Sequence, residues 1–207
     1  MFKKYWKFFV IFWSVVLVGI IGVFVFFWLI SAGKLGFMPT FEELENPNNR
    51  FASEVYFADG PIMNRYFEKE NRKYIEYREI PQSVIDALIA TEDVRFYDHS
   101  GVDVRGLFRV AKGLLTANTS AGGGSTISQQ LAKMLFPRES DLNVFELAIR
   151  KFREWVIAVR LEKSYTKEEI LTMYLNKYDF LNLAVGISSA ADIYFQVPLD
   201  SLKVEQA

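Results

Sequence analysis

Apolar residues follow two regimes along this chain. Between Lys7 and Lys34 lie 26 residues without a charge, FFVIFWSVVLVGIIGVFVFFWLISAG. As a helix this run extends about 39 Å, enough to cross a hydrocarbon core with some tilt. Ser31-Ala32-Gly33 imitates a signal-peptide cleavage site, but the run before it is too long, so it reads as a retained transmembrane helix. Residues 35–52 mix Pro, Asn and acids and read as a connector. Ser53–Phe57 and Ile62–Phe67 flank Asp59-Gly60, a hairpin signal, and Lys73–Ile80 is a candidate third strand. From Pro81 the apolar period becomes helical. Val84, Ile85, Ala87, Leu88 and Ile89 form a stripe that ends near Glu92. Gly106–Leu115, Ile127–Phe136, Val144–Leu161, Lys167–Asn176 and Ala184–Phe195 read as further helices. On the long one the predicted buried face is Phe145, Ala148, Ile149, Phe152, Trp155, Val156 and Val159. The expected fold is mainly α, with a small β element near the anchor. Its divisions are a tail and membrane helix over 1–34, a connector with hairpin over 35–80 and a helical domain over 81–207.

Charge sharpens that division. The first 34 residues carry four lysines and no acid; the other 173 carry 20 basic and 25 acidic side chains. Lys3, Lys4 and Lys7 hold the N-terminus in the cytoplasm, which places everything after Lys34 outside. The acidic bulk argues against nucleic acid as a partner. Cysteine is absent and His99 is the one histidine, which excludes disulfides, thiolate metal sites and histidine-rich metal centres.

Three constellations carry candidate chemistry. Glu92 and Asp93 fall at a helix C-terminus, where carbonyl dipoles disfavour negative charge, and burial beside Phe96 and Tyr97 would push the same way. That setting suits a general base, but helix position alone favours the plainer reading of two solvated acids at a fraying end, with His99 bracing the turn. Gly122-Gly-Gly-Ser-Thr-Ile-Ser-Gln-Gln-Leu-Ala-Lys133 runs glycines into a helix start, leaving backbone N–H groups that suit a phosphate. Thr126 with Gln129 is also a capping box, which accounts for both without a ligand. Gln129 and Lys133 are expected to share one face, opposite Ile127, Leu131, Met134 and Leu135. Arg150-Lys-Phe-Arg-Glu154 crowds three bases around one acid; it reads as solvated surface pairs or as a pyrophosphate site with Glu154 holding a base or a metal ion.

In this order the blocks resemble the peptidoglycan glycosyltransferases, glycosyltransferase family 51, found in class A penicillin-binding proteins and as monofunctional enzymes. The family's Glu-Asp-x-x-Phe-x-x-His-x-Gly is matched by Glu92, Asp93, Phe96, His99 and Gly101. Its Gly-x-Ser-Thr-x-x-Gln-Gln is matched by Gly123, Ser125, Thr126, Gln129 and Gln130, with Lys133 following. Its Arg-Lys-x-x-Glu is matched by Arg150, Lys151 and Glu154; a fourth block runs Lys167–Asn176 and a fifth Gly186–Phe195. Gln196 stands where a glycine is common, and Met134 where an asparagine is usual.

The resemblance implies a lysozyme-like helical domain on the bacterial inner membrane, anchored once, that polymerises lipid II. Glu92 would be the general base and Glu154 would support a pyrophosphate site, through a divalent cation (Mg or Mn) as candidate cofactor. Asp93, Ser125, Thr126, Gln129, Gln130, Lys133, Arg150 and Lys151 would bind substrate, with Phe96, His99 and Gly101 as structural members. The Gly106–Leu115 stretch resembles the family's apolar jaw. Implied partners are lipid II, lipid-linked glycan, the bilayer and other cell-wall synthesis proteins. The family normally continues past the equivalent of Ala207 with more helices, so the domain is expected to be C-terminally truncated. Two alternatives stand beside this one: a lysozyme-like peptidoglycan hydrolase, and a non-catalytic lipid II-binding fragment.

Overall fold

A computed structural model of the chain describes residues 2–40, 43, 53–56, 62–66, 73–116, 123–136 and 143–207. Helix α1 (Phe2–Ser31) is continuous and its apolar side chains from Phe8 onward mostly face outward. It is the one helix among the described residues long and apolar enough to cross a membrane. Strands β1 (Ser53–Tyr56) and β2 (Ile62–Tyr66) pair antiparallel, Ser53 opposite Tyr66 and Tyr56 opposite Ile62, with an irregularity between Val55 and Tyr56. The Asp59-Gly60 turn lies outside the described residues.

The helices after Pro81 build the domain: α2 (Gln82–Glu92), α3 (Val104–Leu115), α4 (Ile127–Leu135), α5 (Val144–Ser164), α6 (Lys167–Lys177) and a short α7 (Ile187–Ala190) that widens into a π-turn at Ala191–Phe195. Helix α4 packs against both α5 and α6 and supplies the centre of the core through Ile127 and Leu131. Phe96, Leu161, Ile170 and Leu171 surround it, all fully buried. Local chemistry starts two of the helices. Asn143 with Glu146 and Thr166 with Glu169 form complete capping boxes for α5 and α6, satisfying backbone donors the first turn leaves open.

Two expectations are corrected. Lys73–Ile80 is not a third strand; it holds a single 3-10 turn at Tyr77–Glu79. The backbone pairing it would seek from a strand comes from one side chain. The Asn176 amide accepts from Ile75 N (2.9 Å) and donates to Ile75 O (2.8 Å). Secondly, α5 is turned relative to its apolar pattern. The side facing the domain carries Arg153, Glu154, Ile157, Ala158 and Leu161, while Phe145 and Ala148 are exposed and Phe152 and Trp155 half-buried. The apolar stripe has a second apolar neighbour, the anchor. Phe152 meets Phe26 and Phe27 edge-on at 5.4 and 5.7 Å between ring centres.

The end of α1 is fastened to α5 by more than apolar contact. Arg160 donates to Ser31 O and Ser31 Oγ (2.8 Å each) and to Pro39 O (3.1 Å), and Ile30 is fully buried. Gly36, at φ 114°, lies flat against the Arg153 guanidinium, where a Cβ would fall 2.3 Å from Nη1. The anchor thus enters the domain as part of its packing.

Candidate active site

Glu92 is the last residue of α2 and its side chain is exposed, whereas Asp93 is 7% exposed. The helix stops at this point, and the non-helical backbone of Asp93 (φ −156°, ψ 73°) turns the second carboxylate inward. There its oxygens each lie 3.0 Å from His99 Nε2, and Oδ2 accepts from Ile127 N (3.1 Å) at the start of α4. Phe96 is wholly buried, with Lys167 Nζ 4.2 Å above its ring and donating to His99 O (2.7 Å). The first motif therefore separates its two acids: Asp93 ties the turn to α4, and Glu92 is presented outward.

The second motif is divided as well. Thr126 Oγ1 and Gln129 Nε2 both donate to Gly101 O (2.7 and 3.2 Å), and Thr126 Oγ1 accepts from Gln129 N. Only one arm of the expected capping box forms, because the Gln129 side chain reaches Gly101 instead of the Thr126 backbone. Gln129 is fully buried and does not share an outer face with Lys133. The Ile127 and Gln129 N–H groups are taken by Asp93 and Thr126, so the start of α4 is not the open anion cradle that the glycines suggested. Gln130 turns the other way and donates to Glu92 Oε2 at 2.6 Å. Ser125 accepts from Lys151 Nζ (2.8 Å), which also reaches Glu154 Oε2 (3.1 Å), joining the second and third motifs. Lys133 and Arg150 are half-buried with no ion-pair partner among the described residues.

Glu92, Asp93, Gly123, Ser125 and Thr126 line one cleft of about 290 Å³. The same cleft holds three charged side chains that sequence reasoning missed: Arg95, Asp103 and Arg109. Arg95 and Asp103 form a two-pronged ion pair. Burial opposes ionisation of Asp103, but the Arg95 guanidinium and the Gly106 N–H outweigh it and hold that carboxyl below its ordinary value. Arg109 Nη2 donates to Gly123 O (3.3 Å) from α3, across the mouth. The available signal was positional: Arg95 lies inside the first motif, and Arg109 is one of two bases, with Lys112, in the apolar Gly106–Leu115 stretch.

Glu154 is 7% exposed and already neutralised by Lys151. Among the described residues no three carboxylate or imidazole groups converge, so this donor set does not fit a protein-built divalent cation site.

The arrangement is one exposed carboxylate on a cleft with cationic walls, built on a helical domain joined to an apolar helix. That class of site and the sequence agree: residues 59–207 match the family model described as Transglycosylase, and the chain belongs to that family. Its similar proteins include penicillin-binding protein 1A of Escherichia coli and of Pseudomonas aeruginosa, each 37% identical over 169 residues and 82% of this chain. Penicillin-binding protein 1A of Haemophilus influenzae is 36% identical over 178 residues, or 86% of the chain. The chain spans about a fifth of the length of these relatives.

Proposed function

We propose that the domain is a peptidoglycan glycosyltransferase acting on lipid II at the outer face of the bacterial inner membrane. In this reading α1 crosses the bilayer with Lys3, Lys4 and Lys7 inside. The observation that carries the reading is Glu92: an exposed carboxylate lining the cleft, fixed through one oxygen by Gln130, its second oxygen without a hydrogen-bond partner among the described residues. Glu92 takes the proton from the 4-hydroxyl of the acceptor N-acetylglucosamine as that oxygen bonds to C1 of the donor N-acetylmuramic acid. The C1–O bond to the polyprenyl pyrophosphate breaks on the opposite side, inverting the centre. The cationic wall supports departure of the pyrophosphate, whose negative charge grows as the C1–O bond breaks: Arg109 lines the cleft, and Lys151 reaches it through Ser125. Lys133 and Arg150 supply further positive charge from α4 and α5. Asp93, Thr126 and Gln129 act here as scaffold, holding the turn that presents Glu92.

A hydrolase of finished glycan fits less well. It needs a second working carboxylate, and the cleft's other two are engaged, Asp93 by His99 and Ile127 N, Asp103 by Arg95. The test is turnover of lipid II by the detergent-solubilised chain. Glu92→Gln is expected to lower glycan formation by about 10²–10⁴-fold, the usual worth of a general base, with helical content and lipid II binding retained. Undiminished polymer from that variant overturns the assignment. Shortening of lipid-free glycan identifies the hydrolase, and lipid II binding without turnover by the parent chain identifies the non-catalytic reading.

A further inference from the structure

The fourth motif places Tyr174 two hydrogen bonds away from the cleft, through Gln130 to Glu92, and nothing in the mechanism above uses it. Tyr174 is 3% exposed, and its ring lies against Tyr178 with centres 5.4 Å apart. Its hydroxyl is 3.1 Å from Gln130 Oε1, and Gln130 Nε2 is 2.6 Å from Glu92 Oε2. The polarity of this chain is forced by chemistry. An ionised carboxylate only accepts, so the Gln130 amide must turn its NH₂ toward Glu92. That leaves its carbonyl facing Tyr174, and the phenol must donate. Both bonds run in one direction, each polarising the next.

We propose that Tyr174 is a positioning residue for the Glu92 base, acting through Gln130. The inference rests on the reading of Glu92 as general base. Gln130 on a half-buried helix face has several rotamers open to it; the bond from Tyr174 selects the one that reaches Glu92. The rigid phenol, locked by the core and by Tyr178, thereby fixes which carboxylate oxygen is occupied and which one points to substrate. Burial pushes the Tyr174 hydroxyl upward, with the negative charge of Glu92 next in effect, so the phenol keeps its proton and remains a donor throughout the working range.

The groups facing Glu92 differ in kind. Asp93, paired with His99, and the Arg95–Asp103 pair lie on its own side of the cleft. Arg109 comes from α3, Lys133 lies one turn beyond Gln130 on α4, Lys151 reaches Ser125 from α5, and Tyr174 and Tyr178 come from α6. Removing one phenolic oxygen changes no formal charge among them.

The test measures Glu92 directly. In the full chain in detergent micelles, with glutamate carboxyls labelled by carbon-13, the Glu92 resonance is the one lost in Glu92→Gln. Its titration midpoint is expected to rise by a few tenths of a pH unit in Tyr174→Phe and by about one in Gln130→Met, because each weakens donation to the carboxylate. Adding Tyr174→Phe to Gln130→Met should produce no further rise. In glycan synthesis, the acid limb of the pH profile moves the same way, and kcat falls roughly three- to tenfold with KM unchanged. A midpoint unmoved by either variant overturns the relay, as does a Tyr174→Phe shift that persists without Gln130. If the midpoint moves as expected while the parent chain forms no glycan, the relay stands and the transferase reading falls.

Discussion

At Gly101 the chain has no room for a side chain. Its φ is 92°, and a Cβ would lie 2.7 Å from Ala158 C on α5 while the carbonyl serves both Thr126 and Gln129. Gly101→Ala is expected to destabilise the domain by about 3 kcal/mol in chemical denaturation, from left-handed strain and overpacking together. Gln196 is the opposite case. It sits at φ 56°, ψ 34°, a conformation that glycine adopts without a Cβ penalty, and glycine is common there in the family. Gln196→Gly should raise stability by about 1 kcal/mol, read as a higher denaturation midpoint. Asp103 gives a pH signature. Its folded carboxyl ionises below the ordinary value, so the stability it contributes is present above the unfolded pKa, about 4, and disappears as pH falls through the folded one. Asp103→Asn should flatten that acid-side decline in a series of midpoints from pH 3 to 6. Glu92 was legible at this scale because it ends a helix and opens a motif. Arg95, Asp103, Arg109 and Tyr174 were not, since their meaning depends on which neighbours the fold supplies.

Helices follow the same rule with a different exception. Thr166 and Glu169 announce the start of α6 in sequence and form the capping box in the structure; Thr166→Ala should lower stability by about 1 kcal/mol. Thr126 and Gln129 have the same spacing, yet Gly101 captures the glutamine. A local signal predicts the cap but not a distant competitor for the same side chain. Helix α5 was misjudged because an apolar stripe reports only that water is avoided. Phe152 avoids water against the anchor, and the domain-facing side of α5 carries Arg153 and Glu154 beside the apolar Ile157, Ala158 and Leu161. The third strand failed for a kindred reason, since Asn176 supplies the bonds that a neighbouring strand would have given Ile75.

Taken as a whole, the molecule explains its uneven charge. The lysine-flanked helix and the acidic domain are two solvents' worth of sequence in one chain, and their joint is where Arg160 holds Ser31 and Pro39. Arg160→Ala removes all three bonds. Opening of the segment after α1 should become about tenfold more frequent, the equivalent of one charged hydrogen bond, and trypsin should cut at Lys34 correspondingly faster in micelles while the domain stays folded. A flexible leash would let the cleft wander through a hemisphere above its attachment point. This joint instead makes depth a constant of the molecule: with α1 across a bilayer, Glu92 is carried at one height and one tilt. On the function proposed above, sugars borne on a lipid of fixed length would then meet the carboxylate by sliding sideways in a plane, and those carried higher or lower would pass it by.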